Sequence, residues 1–280
     1  MVLNRWRRIT SDALSGAANM ALDEALFHSV QAGISPPVLR LYRWSRPTVT
    51  LGYGQRGARQ VNLAACHELG VDLVRRSTGG RAVLHAAEVT YAVISPEGST
   101  SFSASILDNY RQIAAVLRAC LTALGLPVEL ATKRLPHQKR RTVEKCACFV
   151  APSHFELLCH GRKICGSAQK RENGCFLQHG SLPVDLDLSL LFSVLNCDTD
   201  IGVAEGRALL AKSVGWINRW APQPLTLDQV QTQLKRSFEE ILPAIFYDDC
   251  PTAEELKQAA ELEQTRYAEP GWSFRKGAVR

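Results

Sequence analysis

Three apolar stretches follow one another after residue 153: HFELLCH, RKICGSAQ and FLQHGSLPV. Breakers separate them, first Gly161-Arg162 and then Glu172-Asn173-Gly174. Links this short cannot carry the crossover a parallel pair needs, so the three strands read as antiparallel neighbours. That excludes an all-helical bundle and a purely parallel sheet.

The rest of the chain mixes helix and strand patterns. NMALDEALFHSVQAG reads as a helix, with Ala18, Leu22, Ala25, Leu26 and Val30 at helical spacing and Gly33 as its stop. VLRLYRW and TVTLGYG read as strands parted by Ser45-Arg46-Pro47. VNLAACHELG, a short helix ending at Gly70, leads into the strand VDLVRR, and further strands are expected at 82–84 and 89–94. A long amphipathic helix is expected over 103–124. Its stripe of Ile106, Tyr110, Ile113, Leu117, Cys120 and Leu124 makes Cys120 a core residue, and Gly125 and Pro127 end it. Two late helices carry capping boxes, Thr226 with Gln229 and Thr252 with Glu255. The expected fold is α/β of the α+β kind: a mainly antiparallel mixed sheet with packed helices over residues 1–220. A small helical C-terminal segment, 221–280, packs on it.

A length of 280 residues allows one sizeable core. No stretch reaches the length of a membrane helix, and MVLNRWRRIT lacks the apolar centre of a signal peptide, so a cytoplasmic protein is expected. Nine irregularly spaced cysteines, an odd number, argue for reduced thiols rather than a disulfide scaffold. The net charge of +6 favours acidic partners. Its densest cluster, KRLPHQKRR from Lys133 to Arg141, is a solvated loop or a docking site for an acidic carrier protein. Nothing accompanies it that reads nucleic acid.

RRSTGGRAVLH, Arg75 to His85, joins two expected strands through Gly79-Gly80. The glycines allow close backbone approach to a ligand, Arg75, Arg76 and Arg81 flank them, and His85 ends the strand. Neither a P-loop nor a dinucleotide fingerprint is present. From composition alone this is a plain hairpin turn or a pocket for an anion or acyl group.

RRSTGGRAVLHAAEVTYAV, with NMALDEAL before it and GRKICGSAQKR, LQHGSLPVDLD and RYAEPGWSF after it, resembles the lipoate–protein ligase and octanoyltransferase family. The resemblance runs from about residue 5 to residue 275 and implies a biotin/lipoate ligase-like catalytic fold. It also implies one of two chemistries. Ligases of the family activate lipoate with ATP. Transferases take an octanoyl group from acyl carrier protein through a cysteine thioester. Both modify a lysine of lipoyl domains, such as the glycine cleavage H protein or 2-oxoacid dehydrogenase acyltransferase subunits.

A thioester is already activated, so a cysteine beside a lysine can exchange it without ATP or another cofactor. CFVAPSHFEL resembles the CF-x-x-PS-x-x-E segment that carries the nucleophile in one octanoyltransferase subfamily, which makes Cys148 the candidate nucleophile, with Cys146 a near rival. Lys163, in GRKICGSAQ, matches a lysine of both branches, and in the transferases the resemblance gives it the task of favouring the thiolate. On an unbroken strand Lys163 and Cys165 would share a face, although Cys159 and Cys165 read as core thiols. Gly166 and Ser167 would let an acyl group approach the backbone. Arg75, Arg76, Gly79 and Gly80, with His85, would shape its tunnel, and His85 and His179 are each a candidate pocket residue or a structural one. No metal is expected, because Cys146, Cys148, His154, Cys159 and His160 lack paired zinc spacing. Set against octanoyl transfer are an ATP-dependent lipoate ligase, a non-catalytic carrier-binding protein and biotin ligation. The first is disfavoured by AEVTYAV where ligases resemble GNLNFS, and the last by the absence of a GRGRxGR-like loop.

Overall fold

The computed structural model describes residues 4–56, 60–131, 156–196 and 202–274. Its centre is a six-stranded mixed sheet formed by β1 (Asn4–Leu14), β2 (Val38–Trp44), β6 (Glu88–Pro96), β10 (Gly166–Glu172), β11 (Cys175–Pro183) and β12 (Ala244–Asp249). The strand order is β10-β11-β6-β2-β1-β12. The β10-β11, β11-β6 and β2-β6 pairs are antiparallel, while β1 pairs in parallel with β2 and β12. The β10-β11 hairpin turns through Asn173 (φ 47°) and Gly174 (φ 72°), the two left-handed residues a tight hairpin requires.

Helix α1 (Gly16–Gln31) lies on one face of this sheet. Ser15 caps it by accepting from Ala18 N at 3.1 Å, and Gly33 ends it at φ 72°. Helix α3 (Ile106–Ala123) and helix α6 (Leu227–Ile241) lie on the other face, where Ile113, Leu117, Cys120, Leu234 and Phe238 meet Leu41, Tyr91 and Val93. The apolar stripe of α3 engages one turn later than its spacing suggests. Ile106 and Tyr110 precede the buried run, and Ile106 stays half-exposed at the open first turn.

A second sheet of β3 (Thr48–Leu51), β4 (Asp72–Arg75) and β5 (Val83–His85) has the order β4-β3-β5. It shares a separate apolar cluster with α2 (Leu63–Glu68), α4 (Leu188–Val194) and α5 (Val203–Leu210). A third sheet joins β7 (Val128–Leu130), β8 (Leu157–Cys159) and β9 (Arg162–Lys163).

RKICGSAQ is therefore not one strand. It serves the third sheet as β9, breaks at Ile164-Cys165 and re-enters the central sheet as β10. The turn before it is carried by His160 (φ 48°) and Gly161 (φ 72°), one residue earlier than the sequence suggests. Because of the break, Lys163 and Cys165 do not share a face. Cys165 packs with Cys120 and Phe176 in the core beneath α3, and Lys163 lines the cavity described below.

Beyond residue 220 both expected capping boxes form, at the starts of α6 and α7 (Ala253–Leu262). The segment also carries β12, which AIFYDD did not announce. A π-turn (Glu263–Tyr267) and α8 (Pro270–Phe274) then return the chain to α1 and β4.

Candidate active site

The central sheet and the β3–β5 sheet face each other across a narrow cavity. Its floor is one cross-strand row: Gly166 pairs with Ser181, Ser181 with Thr90, and Thr90 with Tyr42. Three strand spacings carry this row about 14 Å across the sheet. Thr50, Val83, His85, Arg76 and Gly80 form the facing wall, and Met20 of α1 closes one side. At the β10 end the Lys163 side chain hangs over Gly166, its Nζ 3.9 Å from where a Cβ would stand. Lys163 is buried, and its ammonium bonds the Glu156 carboxylate.

Two buried polar networks hold the walls. In the first, Glu88 Oε1 accepts from Thr90 Oγ1 (2.5 Å), His85 Nδ1 (2.8 Å) and Trp44 Nε1 (3.2 Å), while Oε2 accepts from Ser181 Oγ (2.5 Å). Burial works against this carboxylate, but His85, with the Ser181 and Thr90 hydroxyls, outweighs it and holds its pKa below the usual range. His85 Nε2 meets Thr50 Oγ1 at 2.8 Å, and the ring stacks on Trp44 at 4.1 Å. His85 is thus held in the cavity wall by partners on both ring nitrogens, Glu88 on one side and Thr50 on the other.

The second network centres on Asp23 of α1. Its carboxylate takes Arg40 Nη1 at 2.7 Å, the Tyr42 hydroxyl at 3.0 Å and His179 Nδ1 at 3.3 Å. Burial opposes the charge of Asp23, yet Arg40 above all keeps its pKa lowered. Burial also lowers the pKa of His179, so the ring is neutral at neutral pH. His179 Nε2 reaches Thr78 Oγ1 at 2.6 Å and so braces the glycine turn from below.

The two adjacent arginines of that turn separate. Arg76 lines the cavity and knots the turn together, donating to Thr50 O (3.1 Å), Gly79 O (2.7 Å) and Arg81 O (2.8 Å). Arg75 points away from the cavity. Its guanidinium holds Gly52 O (2.7 Å), Tyr53 O (3.0 Å), Trp272 O (3.1 Å) and Ser273 O (2.7 Å), which fastens α8 to β4. Gly79 contributes its carbonyl to Arg76 and is not part of the lining, whereas Gly80, Gly166 and Ser167 are. Thus Lys163, Arg76, Gly80, His85, Gly166, Ser167 and His179 come together in one cavity, and Arg75 and Gly79 stand behind it.

Among the described residues no cysteine lines the cavity. Burial pushes the thiols of Cys66 and Cys175 up to about 11 and those of Cys120 and Cys165 up to about 12, and it also raises Cys159. Cys165, the thiol on which the Lys163 charge acts, stays protonated because burial outweighs that charge. The candidate nucleophile Cys148, its rival Cys146, and the basic run 133–141 lie outside the described residues. Asp23, Tyr42, Trp44 and Glu88 were missed in the sequence. Glu156 was visible only as the last letter of the CF-x-x-PS-x-x-E pattern.

A family model for the lipoyl protein ligase A/B catalytic domain matches residues 15–239. The chain belongs to that family. Its relatives include Octanoyltransferase LipM of Brevibacillus brevis, 35% identical over 276 residues that cover 98% of this chain and 100% of the relative. Octanoyltransferase LipM of Bacillus subtilis is 36% identical over 274 residues, 97% and 98% of the two chains. Among solved structures, a lipoate-protein ligase A bound with ATP superposes with a TM-score of 0.75 at 26% identity, covering 98% of this chain and 100% of that one. A bipartite lipoate protein ligase from Thermoplasma acidophilum reaches a TM-score of 0.81 at 24% identity, over 99% and 98% of the two chains, and speaks for the shared lipoate ligase fold alone. The cavity carries apolar surface from Met20, Trp44, Val83 and Ala168, with the Lys163–Glu156 pair at its β10 end.

Proposed function

We propose that this ligase-family protein transfers an octanoyl group to a lysine of lipoyl domains through a thioester on Cys148. It is an acyltransferase of lipoate biosynthesis, as its relatives named octanoyltransferase are matched over essentially their full length. The observation that carries the covalent route is the buried Lys163 ammonium at one end of an apolar cavity, where none of the described thiols is available. A sulfur brought to that end would gain an adjacent positive charge, which favours the thiolate.

In the first step the Cys148 thiolate attacks the carbonyl carbon of the octanoyl thioester on acyl carrier protein. The carbonyl π electrons move onto oxygen, where a Lys163 N–H stabilises them. Collapse breaks the bond to the carrier's sulfur, which departs and takes up a proton. In the second step the neutral ε-amine of a lipoyl-domain lysine attacks the enzyme thioester. Its C–S bond breaks, the amide forms, the amine's proton is released, and the Cys148 thiolate returns to its place beside Lys163. Thioester and amine become thiol and amide without ATP, because the thioester supplies the driving force. A cytoplasmic setting belongs to the same reading.

The test is transfer from octanoyl-carrier protein to an isolated lipoyl domain in ATP-free buffer. Modified domain is expected with the wild-type protein and none with Cys148→Ala. Modification that requires ATP, with free octanoate as donor, would instead make the protein a ligase.

A further inference from the structure

The Lys163 ammonium is anchored. Its Nζ donates to Glu156 Oε1, and the two side chains are only 4% and 10% exposed. The anchor follows from the β8–β9 hairpin. Leu158 pairs with Lys163, so Glu156, two residues earlier on the same face, is the diagonal neighbour of Lys163, within reach of a long side chain. Both backbones are pinned: Ala131 N donates to Glu156 O at 2.8 Å, Ile164 N to Leu157 O at 3.1 Å, and Gly215 N to Lys163 O at 2.9 Å. The strand break at Ile164-Cys165 then turns the chain into β10 and places the amine over Gly166.

We infer that Glu156 is a positioning residue for acyl transfer. The inference rests on the functional reading above, in which Lys163 acts on the thioester. A lysine amine on a flexible four-carbon stem can occupy many positions, and its three N–H donors rotate together. Committing one donor to a fixed carboxylate selects one position and sets the direction of the other two. The carboxylate also supplies the counter-charge that a buried ammonium requires. The arrangement parallels a buried acid that orients a catalytic base, with an amine in place of an imidazole. Glu156 itself touches no reacting atom.

Glu156→Gln, Glu156→Asp and Lys163→Ala are compared with wild type in the full chain. The readouts are kcat and KM with octanoyl-carrier protein, acyl-enzyme formation by intact mass, and thermal unfolding. Glu156→Gln, isosteric and neutral, is expected to lower kcat about tenfold and to leave the donor KM within about twofold. Its unfolding midpoint should stay close to wild type. Glu156→Asp keeps the charge on a shorter stem and should recover part of kcat. Should the glutamine variant fail to fold, partial loss of kcat at unchanged KM in the aspartate variant supports the inference, and wild-type kcat there overturns it. Wild-type kcat in Glu156→Gln, beside an inactive Lys163→Ala, overturns the positioning role alone. Absence of any acyl adduct on the wild-type protein overturns the functional reading and this inference with it.

Discussion

The charge states of single residues under the cavity follow from burial and partner together. Asp23 stays ionised below the usual carboxylate range because Arg40 faces it, and His179 stays neutral because burial penalises its cation. The unfolded chain protonates its histidines near the ordinary value of 6.5, while folded His179 resists. Between these two values the unfolded state binds more protons, so this site's stability is full above about pH 6.5 and falls as the pH drops. Urea midpoints at pH 5 and pH 7 should therefore differ, and His179→Gln should narrow the difference. An unchanged difference would remove His179 from the account. For the buried pair, Lys163→Met leaves the Glu156 carboxylate without its cation and should cost about 3 kcal/mol. Adding Glu156→Gln should restore most of that stability in urea titrations and none of the activity. Lys163 was legible because its motif is local. Asp23 and Glu88 were not, since a carboxylate in a helix or at a strand start reads as solvated, and their partners Arg40, His179 and Ser181 are distant in sequence. Arg75 and Arg76 show the same limit. Arg75 ends β4 and Arg76 begins the turn, and only the packed structure tells which of the two faces the cavity.

Among the elements, α1, α2, α3 and the two capping-box helices announced themselves through apolar spacing and caps, as did the Asn173-Gly174 hairpin, whereas α4, α5, α8, β1 and β12 had no such signal. Also hidden was where one strand changes sheets. RKICGSAQ has strand character throughout, and the break at Ile164-Cys165 is imposed by third-sheet partners: Leu157 O holds Ile164 N, and Lys163 O holds Gly215 N. The glycine turn depends on a contact that also had no local signal. A Cβ on Gly52 would stand 2.0 Å from Gly80 O, so β3's exit and the Gly79-Gly80 turn touch backbone to backbone. Gly52→Ala should cost about 1–3 kcal/mol through overpacking and should disturb the cavity beside the turn. Gly54→Ala, where nothing lies within 4 Å of the added carbon, is the control. Equal denaturant midpoints for the two variants would contradict this close approach.

Across the whole molecule, the chain beyond residue 220 belongs to the same core as the site. Val230, Leu234, Phe238 and Leu242 are buried against α3 and the central sheet, and β12 extends that sheet beside β1. Burying four such side chains is worth about 6–12 kcal/mol, comparable with the net stability of a domain. A chain ending at residue 221 should therefore show no cooperative thermal transition, and a sharp transition would mean that the first part folds alone. The π-turn and α8 close the molecule on the site's far side: Tyr267 OH donates to Glu24 Oε2 at 2.7 Å and Trp272 Nε1 to Arg75 O at 2.8 Å. Family membership makes the protein an acyltransferase of lipoate biosynthesis, and the proposed route runs through a Cys148 thioester beside Lys163. Intact mass spectrometry of the protein after incubation with octanoyl-carrier protein, without ATP, examines this most directly. The account predicts one octanoyl group added to the wild-type protein and none to Cys148→Ala. An adduct of equal yield on Cys148→Ala, or none on the wild type, would contradict it.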